Sequence, residues 1–326
     1  MSPERISPDR TGLRLAVLTL LLLVAVLGWL FQGLAGNRAF ILGLRLDRLQ
    51  ALALIGAAVA VATVLFQTVA QNRILTPSIM GFDALYVMVQ TLAVAGLGIT
   101  GYTTLPAGAK FLAEAALMTA MAVMLFGTLL GRGGAGANDI GRTILTGVIL
   151  GILFRSAASL GARLLDPNAY AVVQAVSFAN FGKPAAGLTL WAAAIVVPAI
   201  AVALWLGPRL DVLGLGRERA VSLGLGHRRL VVGVLVLVAV LVAASTALVG
   251  PVTFFGLIVA GLAQALFPGA PHRVRLCAAM LLACLMLIGG QWLFERGLGQ
   301  RATLSVVIEF AGGLMFLALL LKGRLR

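Results

Sequence analysis

Charge is scarce in this 326-residue chain. Asp, Glu, Lys and Arg make up 11% of it, against 61% hydrophobic residues. Soluble domains carry about a quarter charged residues, so a water-soluble globular fold is excluded. Histidine and cysteine are nearly absent, with two of each. No Cys/His cluster exists to hold a structural metal. Cys277 and Cys284 share one apolar run, and seven helical residues separate them by roughly 10.5 Å along the axis, beyond disulfide reach. Catalytic signatures are missing as well. There is no HExxH, no GxSxG with plausible partners and no pair of carboxylates. The glycine-rich GRGGAGAND at 131–139 lacks the GK[ST] ending of a phosphate-cradling loop and reads as a flexible turn. The basic residues are not interleaved with aromatics, which argues against nucleic-acid binding.

Long apolar runs are what the chain has. Mean hydropathy is +1.06, and stretches of about twenty apolar residues recur, the length that crosses a bilayer as a helix. Only helices and closed barrels satisfy the backbone in hydrocarbon, and these runs do not alternate. The expectation is an all-α polytopic membrane protein with ten spans: 13–33, 49–70, 81–99, 108–130, 141–164, 187–206, 230–249, 252–267, 275–294 and 304–321. The first run is too long for a signal-peptide core, so it reads as a retained helix. The eighth is short and opens on Gly250-Pro251, with proline suited to a helix start. With the N-terminus inside, sixteen of the 25 Lys and Arg fall in inner segments, eight in outer ones, and Arg155 lies within a span. That excess places both termini in the cytoplasm. No linker breaks the chain, so 1–326 is one transmembrane domain.

Charges inside spans are expensive and mark function or pairing. They are Asp83, Glu114, Arg155 and Glu309. Glu114 lies one helical turn from Lys110 and pairs with it. Arg155 is deepest, and an acidic partner or a water-filled pathway is expected around it. Four charges are too sparse for the proton relay of an ion-coupled transporter, the competing reading. Gln67 is a buried amide that needs a partner. Glycines at 127 and 131, and at 147 and 151, have the spacing that lets helices approach closely. The outer loop LLDPNAYAVVQAVSFANFGKP is mildly amphipathic and suits the membrane surface.

The most basic inner loop, 207–229, holds all but the last residue of LDVLGLGRERAVSLGLGHRRL, which runs from 210 to 230. Its apolar positions fit two short helices, broken at Gly214-Leu-Gly216 and Gly224-Leu-Gly226. A pore without its own phosphate-binding loop needs an external motor, and this segment suits docking one.

GLGRERAVSLGLGHRRL resembles the coupling segment of the iron-siderophore and vitamin B12 class of ABC-transporter permeases. LRLDRLQALALIGAAVAVATVLFQTVAQNRILTPSIMGFDALY and STALVGPVTFFGLIVAGLA resemble two further family segments in the right order, so the likeness runs from about 41 to 322. It implies the type II importer (BtuC-like) fold of ten helices. It also implies a second permease, two ATP-binding subunits that carry ATP and Mg, and an extracytoplasmic siderophore-binding protein. This chain binds no cofactor itself. By the same resemblance, Leu213, Gly214, Leu215, Gly216, Arg217, Glu218, Arg219, Ala220, Ser222, Leu223 and Gly224 couple to the ATPase. Arg45, Arg48 and Arg296 dock the binding protein. Gln67, Arg155, Gly250 and Pro251 are pore or interface candidates. The family's proline before Arg48 is Asp47 here, its PH is Ala260-Gly261, and a common Asp is Gln291. Those departures resemble the second permease of petrobactin-, anguibactin- or vibriobactin-type catecholate siderophore systems, where the two permeases are different chains. Cobalamin or haem is the alternative cargo.

Overall fold

In hydrocarbon a helix satisfies every backbone group within its own segment, and the apolar runs do fold that way. The computed structural model describes residues 8–33, 37–132, 138–181, 187–297 and 304–321. They contain α1 (Pro8–Phe31), α2 (Arg38–Ala70), a 3-10 turn (Pro77–Met80), α3 (Phe82–Thr104), α4 (Ala107–Arg132), α5 (Asn138–Arg163) and α6 (Pro167–Val176). Then follow α7 (Leu188–Trp205), α8 (Gly207–Leu213), α9 (Arg217–Ser222), α10 (His227–Val249), α11 (Phe255–Leu266), α12 (His272–Gly297) and α13 (Leu304–Leu321). Eight of these are long and apolar enough to cross a membrane, and the shorter apolar helices Phe255–Leu266 and Leu304–Ala318 bring the number to the expected ten.

α2 is the axis of the bundle, packed against α10, α12, α7 and α11. Its middle is lined with small residues: Ala58, Ala60 and Val61 have no exposed surface. A Cβ on Gly56 would come within 3.2 Å of the Ala283 backbone in α12. Small residues let helix backbones approach where no hydrophobic force acts between them. α10 lies between α2 and α4, α3 packs on α5, and α1 packs on α12. The rim is apolar and uncovered, with Leu20, Ile152 and Phe310 each more than 60% exposed, as lipid or a second chain requires.

Three expected boundaries move. The second span was placed at 49–70, but α2 starts at Arg38, where the Asn37 side chain accepts a hydrogen bond from the Phe40 N–H. Its 33 residues run about 50 Å at 1.5 Å per residue, well beyond a bilayer core. Gly250-Pro251 does not open a helix. Gly250 (φ 93°) ends α10, residues 250–254 are non-helical, and α11 begins only at Phe255. Irregular backbone at membrane depth survives only where protein surrounds it. Here Asn180 N–H donates to the Val249 carbonyl at 2.8 Å, and Gly250 sits against Phe178. The outer loop contains α6, whose first turn is capped by Asp166 accepting from Asn168 and Ala169 N–H. Its Ala169 and Val173 are buried with Val94 and Tyr102 of α3.

The glycine pair 147/151 acts inside the chain. A Cβ on Gly81 would lie 2.5 Å from the Gly151 Cα, so the 3-10 turn reaches α5 only because both residues lack one. Glu114 pairs with Lys110 at 3.9 Å, and the ammonium sits 3.6 Å over the Tyr102 ring. Residues 133–137 of the glycine-rich turn, and the side chains around Gly127 and Gly131, lie outside the described residues.

Candidate functional site

The basic loop folds as the two short helices α8 and α9. Gly216 (φ 93°) and Gly224 (φ 79°) occupy left-handed backbone that a side chain would strain, so the two glycine breaks set the turn angles. Leu210, Leu213 and Ala220 are buried and root the segment in the bundle. Gly214, Leu215, Glu218, Arg219, Val221, Ser222, Leu223 and Gly224 are exposed, while Gly216 and Arg217 are half-buried. Leu215, Val221 and Leu223 show 49%, 53% and 64% of their surface. Charged and apolar side chains thus share one uncovered face. Arg209 stacks over the Trp205 ring at 4.8 Å where α7 ends.

A partly buried relay ties this segment to the spans. Asp211 Oδ1 in α8 accepts from the His272 backbone N–H at 2.7 Å and from Nδ1–H at 2.6 Å. One carboxylate oxygen therefore caps α12 and fixes the imidazole tautomer. Nε2 then faces the Thr68 hydroxyl of α2 at 2.9 Å. Gln71 Nε2 donates to the Leu213 carbonyl at 3.2 Å and to the Thr68 carbonyl at 2.8 Å. Gly214 fits against the His272 ring, where a Cβ would be 3.3 Å from Cε1. Beside the relay lies an open cavity of about 560 Å³ walled by Gln67, Arg73, Asp211, Gln264, His272 and Arg275. Gln67 Nε2 donates to the Arg73 carbonyl at 2.6 Å, and its Oε1 accepts from Gln264 at 3.0 Å.

At the opposite end the arginines are engaged. The Arg45 guanidinium donates to the carbonyls of Trp29, Leu30 and Gln32 at 2.9, 2.8 and 3.0 Å. It thereby satisfies carbonyls at the end of α1 that have no helical partner. Arg48 pairs with Glu295 of α12 at 2.9 Å, with 31% and 24% of the two side chains exposed. Arg296 lies in α12, but its side chain is outside the described residues. Arg155 is exposed on α5 beside Ile152 and Leu153, and among the described residues no ion pair joins it to an acid. α5 packs its other face on α3, so the expected acidic partner is not in contact with it.

The profile of the FecCD transport family matches residues 14–322. This chain belongs to the FecCD transport family. The petrobactin import system permease protein YclO of Bacillus subtilis is 38% identical over 314 residues, covering 96% of this chain and 98% of that protein. The petrobactin import system permease protein FatC of Bacillus anthracis is 33% identical, covering 81% and 74%. A metal-chelate type ABC transporter solved in an inward-facing conformation superposes with a TM-score of 0.79 over 96% of this chain and 99% of its own, at 22% identity, which establishes the type II importer fold. Within this FecCD chain, sequence reasoning singled out α8, α9 and Gln67, but not Asp211, His272, Thr68, Gln71 or Gln264. The available signal for His272 was its rarity: it is one of two histidines and follows a proline at a helix start.

Proposed function

We propose that this chain is the membrane-spanning permease subunit of an ABC importer for a ferric siderophore of the catecholate type. The similarity to two petrobactin import permeases, one across nearly its full length, carries the reading. Relatives named for vitamin B12 and hemin transport are less similar, at 29% and 26% identity, which ranks those cargoes second. Ion-coupled secondary transport gives way to family membership.

The chain works in the cytoplasmic membrane beside a second, homologous but different permease, with two ATP-binding subunits inside and a siderophore-binding protein outside. Both termini and α8–α9 face the cytoplasm, in line with the excess of basic residues there. ATP and Mg belong to the motor subunits. α8 and α9 offer the motor a small apolar patch ringed by charge, and the Asp211–His272–Thr68 relay links that patch to α12 and α2. Arg155 stands on an exposed, membrane-depth face of α5. A guanidinium does not face hydrocarbon there, so this face lines the pathway or meets the second permease. Gly250 and Pro251 start the non-helical stretch 250–254 and stay candidates for the pore or the subunit interface. At the outer end Arg48 is the docking arginine the geometry favours, since a half-exposed ion pair can exchange its carboxylate for an incoming one. Arg45 is committed to α1.

The test is reconstitution of the four-subunit complex in nanodiscs. ATP hydrolysis should rise when the binding protein arrives loaded with a ferric catecholate siderophore, and iron-55 uptake into proteoliposomes should need ATP. Stimulation by cobalamin or haem alone, or uptake by this chain alone on a proton gradient, would sink the reading.

A further inference from the structure

A second, smaller cavity lies inside the bundle, away from α8 and α9. It encloses about 20 Å³, room for one water-sized particle and far too little for a chelate. Four separate pieces of chain meet there: the middle of α2, the segment before α3, the last turns of α10, and the non-helical stretch 250–254. Their polar side chains are Thr63, Thr76, Ser78, Asp83, Ser245, Thr246 and Thr253. Among the described residues lining it, no side chain carries a nitrogen.

Four of the six hydroxyl protons of this wall are engaged. Thr63 donates its hydroxyl hydrogen to the Val59 carbonyl at 2.8 Å, and Ser245 donates to the Val242 carbonyl at 3.0 Å. Thr253 donates to Asp83 Oδ2 at 3.1 Å, with Ser78 also bonded to that carboxylate. A hydroxyl has one proton and two lone pairs. Once the proton is engaged, the oxygen can only accept. Those four hydroxyl oxygens therefore present only acceptors around one carboxylate. Among the described residues Asp83 has no ion pair. Arg155 and Glu309 act on it only at longer range and with opposite signs. A carboxylate inside a membrane domain needs a counter-charge or a proton. Oxygen-only ligand sets suit hard cations, and one negative charge balances one positive charge.

We propose that Asp83 and the surrounding hydroxyls bind one sodium-sized monovalent cation, which pins the non-helical 250–254 segment to the start of α3 and the middle of α2. The cation is structural. It does not replace ATP as the driving force, and the site does not depend on which cargo the importer carries.

The experiment uses the full chain, co-expressed and purified with its partner subunits in nanodiscs. Thermal unfolding is followed in NaCl, KCl and choline chloride at equal ionic strength. The expected result is a saturable rise of about 3 °C or more in NaCl over choline, a size in keeping with a kcal-scale linkage effect. Asp83→Asn should abolish the rise, while Asp47→Asn, remote from the cavity, should retain it. Thr253→Val should raise the half-saturating sodium concentration about tenfold, and it carries the test if Asp83→Asn does not assemble. A melting temperature equal in sodium and choline means that the cavity holds water only and overturns the proposal. So does a sodium response that persists in Asp83→Asn, or in Thr253→Val with unchanged half-saturation.

Discussion

Both ends of the bundle carry arginines and use them oppositely. At the α1–α2 turn the guanidinium of Arg45 is wrapped by three carbonyls, and Arg48 is held by Glu295. At the other end Glu218 and Arg219 stand exposed on α9, next to the uncovered Leu215, Val221 and Leu223. The lesson is that positive charge does not by itself mark a docking surface. What marks one is charge left uncommitted after the chain has satisfied its own helix ends, on a face that also leaves apolar surface in water. By that criterion α8–α9 fits the proposed contact with a motor subunit, whereas the α1–α2 turn is first a structural corner.

The contrast can be broken most directly at α9. Reversing Arg217 and Arg219 to Glu should cut iron-55 uptake by more than about tenfold, because like charges juxtaposed across an interface cost several kcal/mol and each 1.4 kcal/mol is a factor of ten. The melting temperature of the complex should stay within about a degree, since Arg219 is exposed and Arg217 only half-buried. A matching loss of stability would show that these arginines hold the fold instead. The next effect is Arg45→Ala. It removes three hydrogen bonds from a charged donor, and a loss of about 2–3 kcal/mol in unfolding free energy follows. Binding-protein affinity, measured on the surviving folded fraction, should be unchanged. The cost falls on the fold because the end of α1 depends on that guanidinium. The smallest effect is Arg48→Ala. Breaking one half-exposed ion pair should cost less than about 1 kcal/mol, yet weaken binding-protein docking several-fold. If docking affinity in surface plasmon resonance does not move, the outer arginines are structural at both positions.

Much of this architecture was legible in the sequence because the signals are local. A run of about twenty apolar residues can only be a helix in lipid, so ten spans could be counted without knowing a neighbour. The glycine pairs at 214/216 and 224/226 announced α8 and α9, since breaks in a short polar segment depend on adjacent backbone alone. The i, i+4 pair of Lys110 and Glu114 was readable for the same reason. Gly250-Pro251 misled because proline at a helix start is a local preference. The chain there obeys contacts with residues 178–180, about seventy residues earlier in sequence, and these hold it extended.

What the sequence alone determined, then, is an all-helical membrane protein of ten spans, with a basic excess on one side and a glycine-hinged loop as its most charged feature. Hydropathy, charge count and backbone freedom are properties of a residue and its near neighbours, so they survive without coordinates. Only the tertiary structure decided which charges are free. Arg48 finds Glu295 across 247 residues, Thr68 meets His272 across 204, and Asp83 meets Thr253 across 170. Each of these partners is chosen by how the helices pack around α2. Whether a polar group is satisfied, exposed or left facing a cavity is a property of that packing, because hydrogen bonds and ion pairs act over a few ångströms and sequence distance says nothing about them.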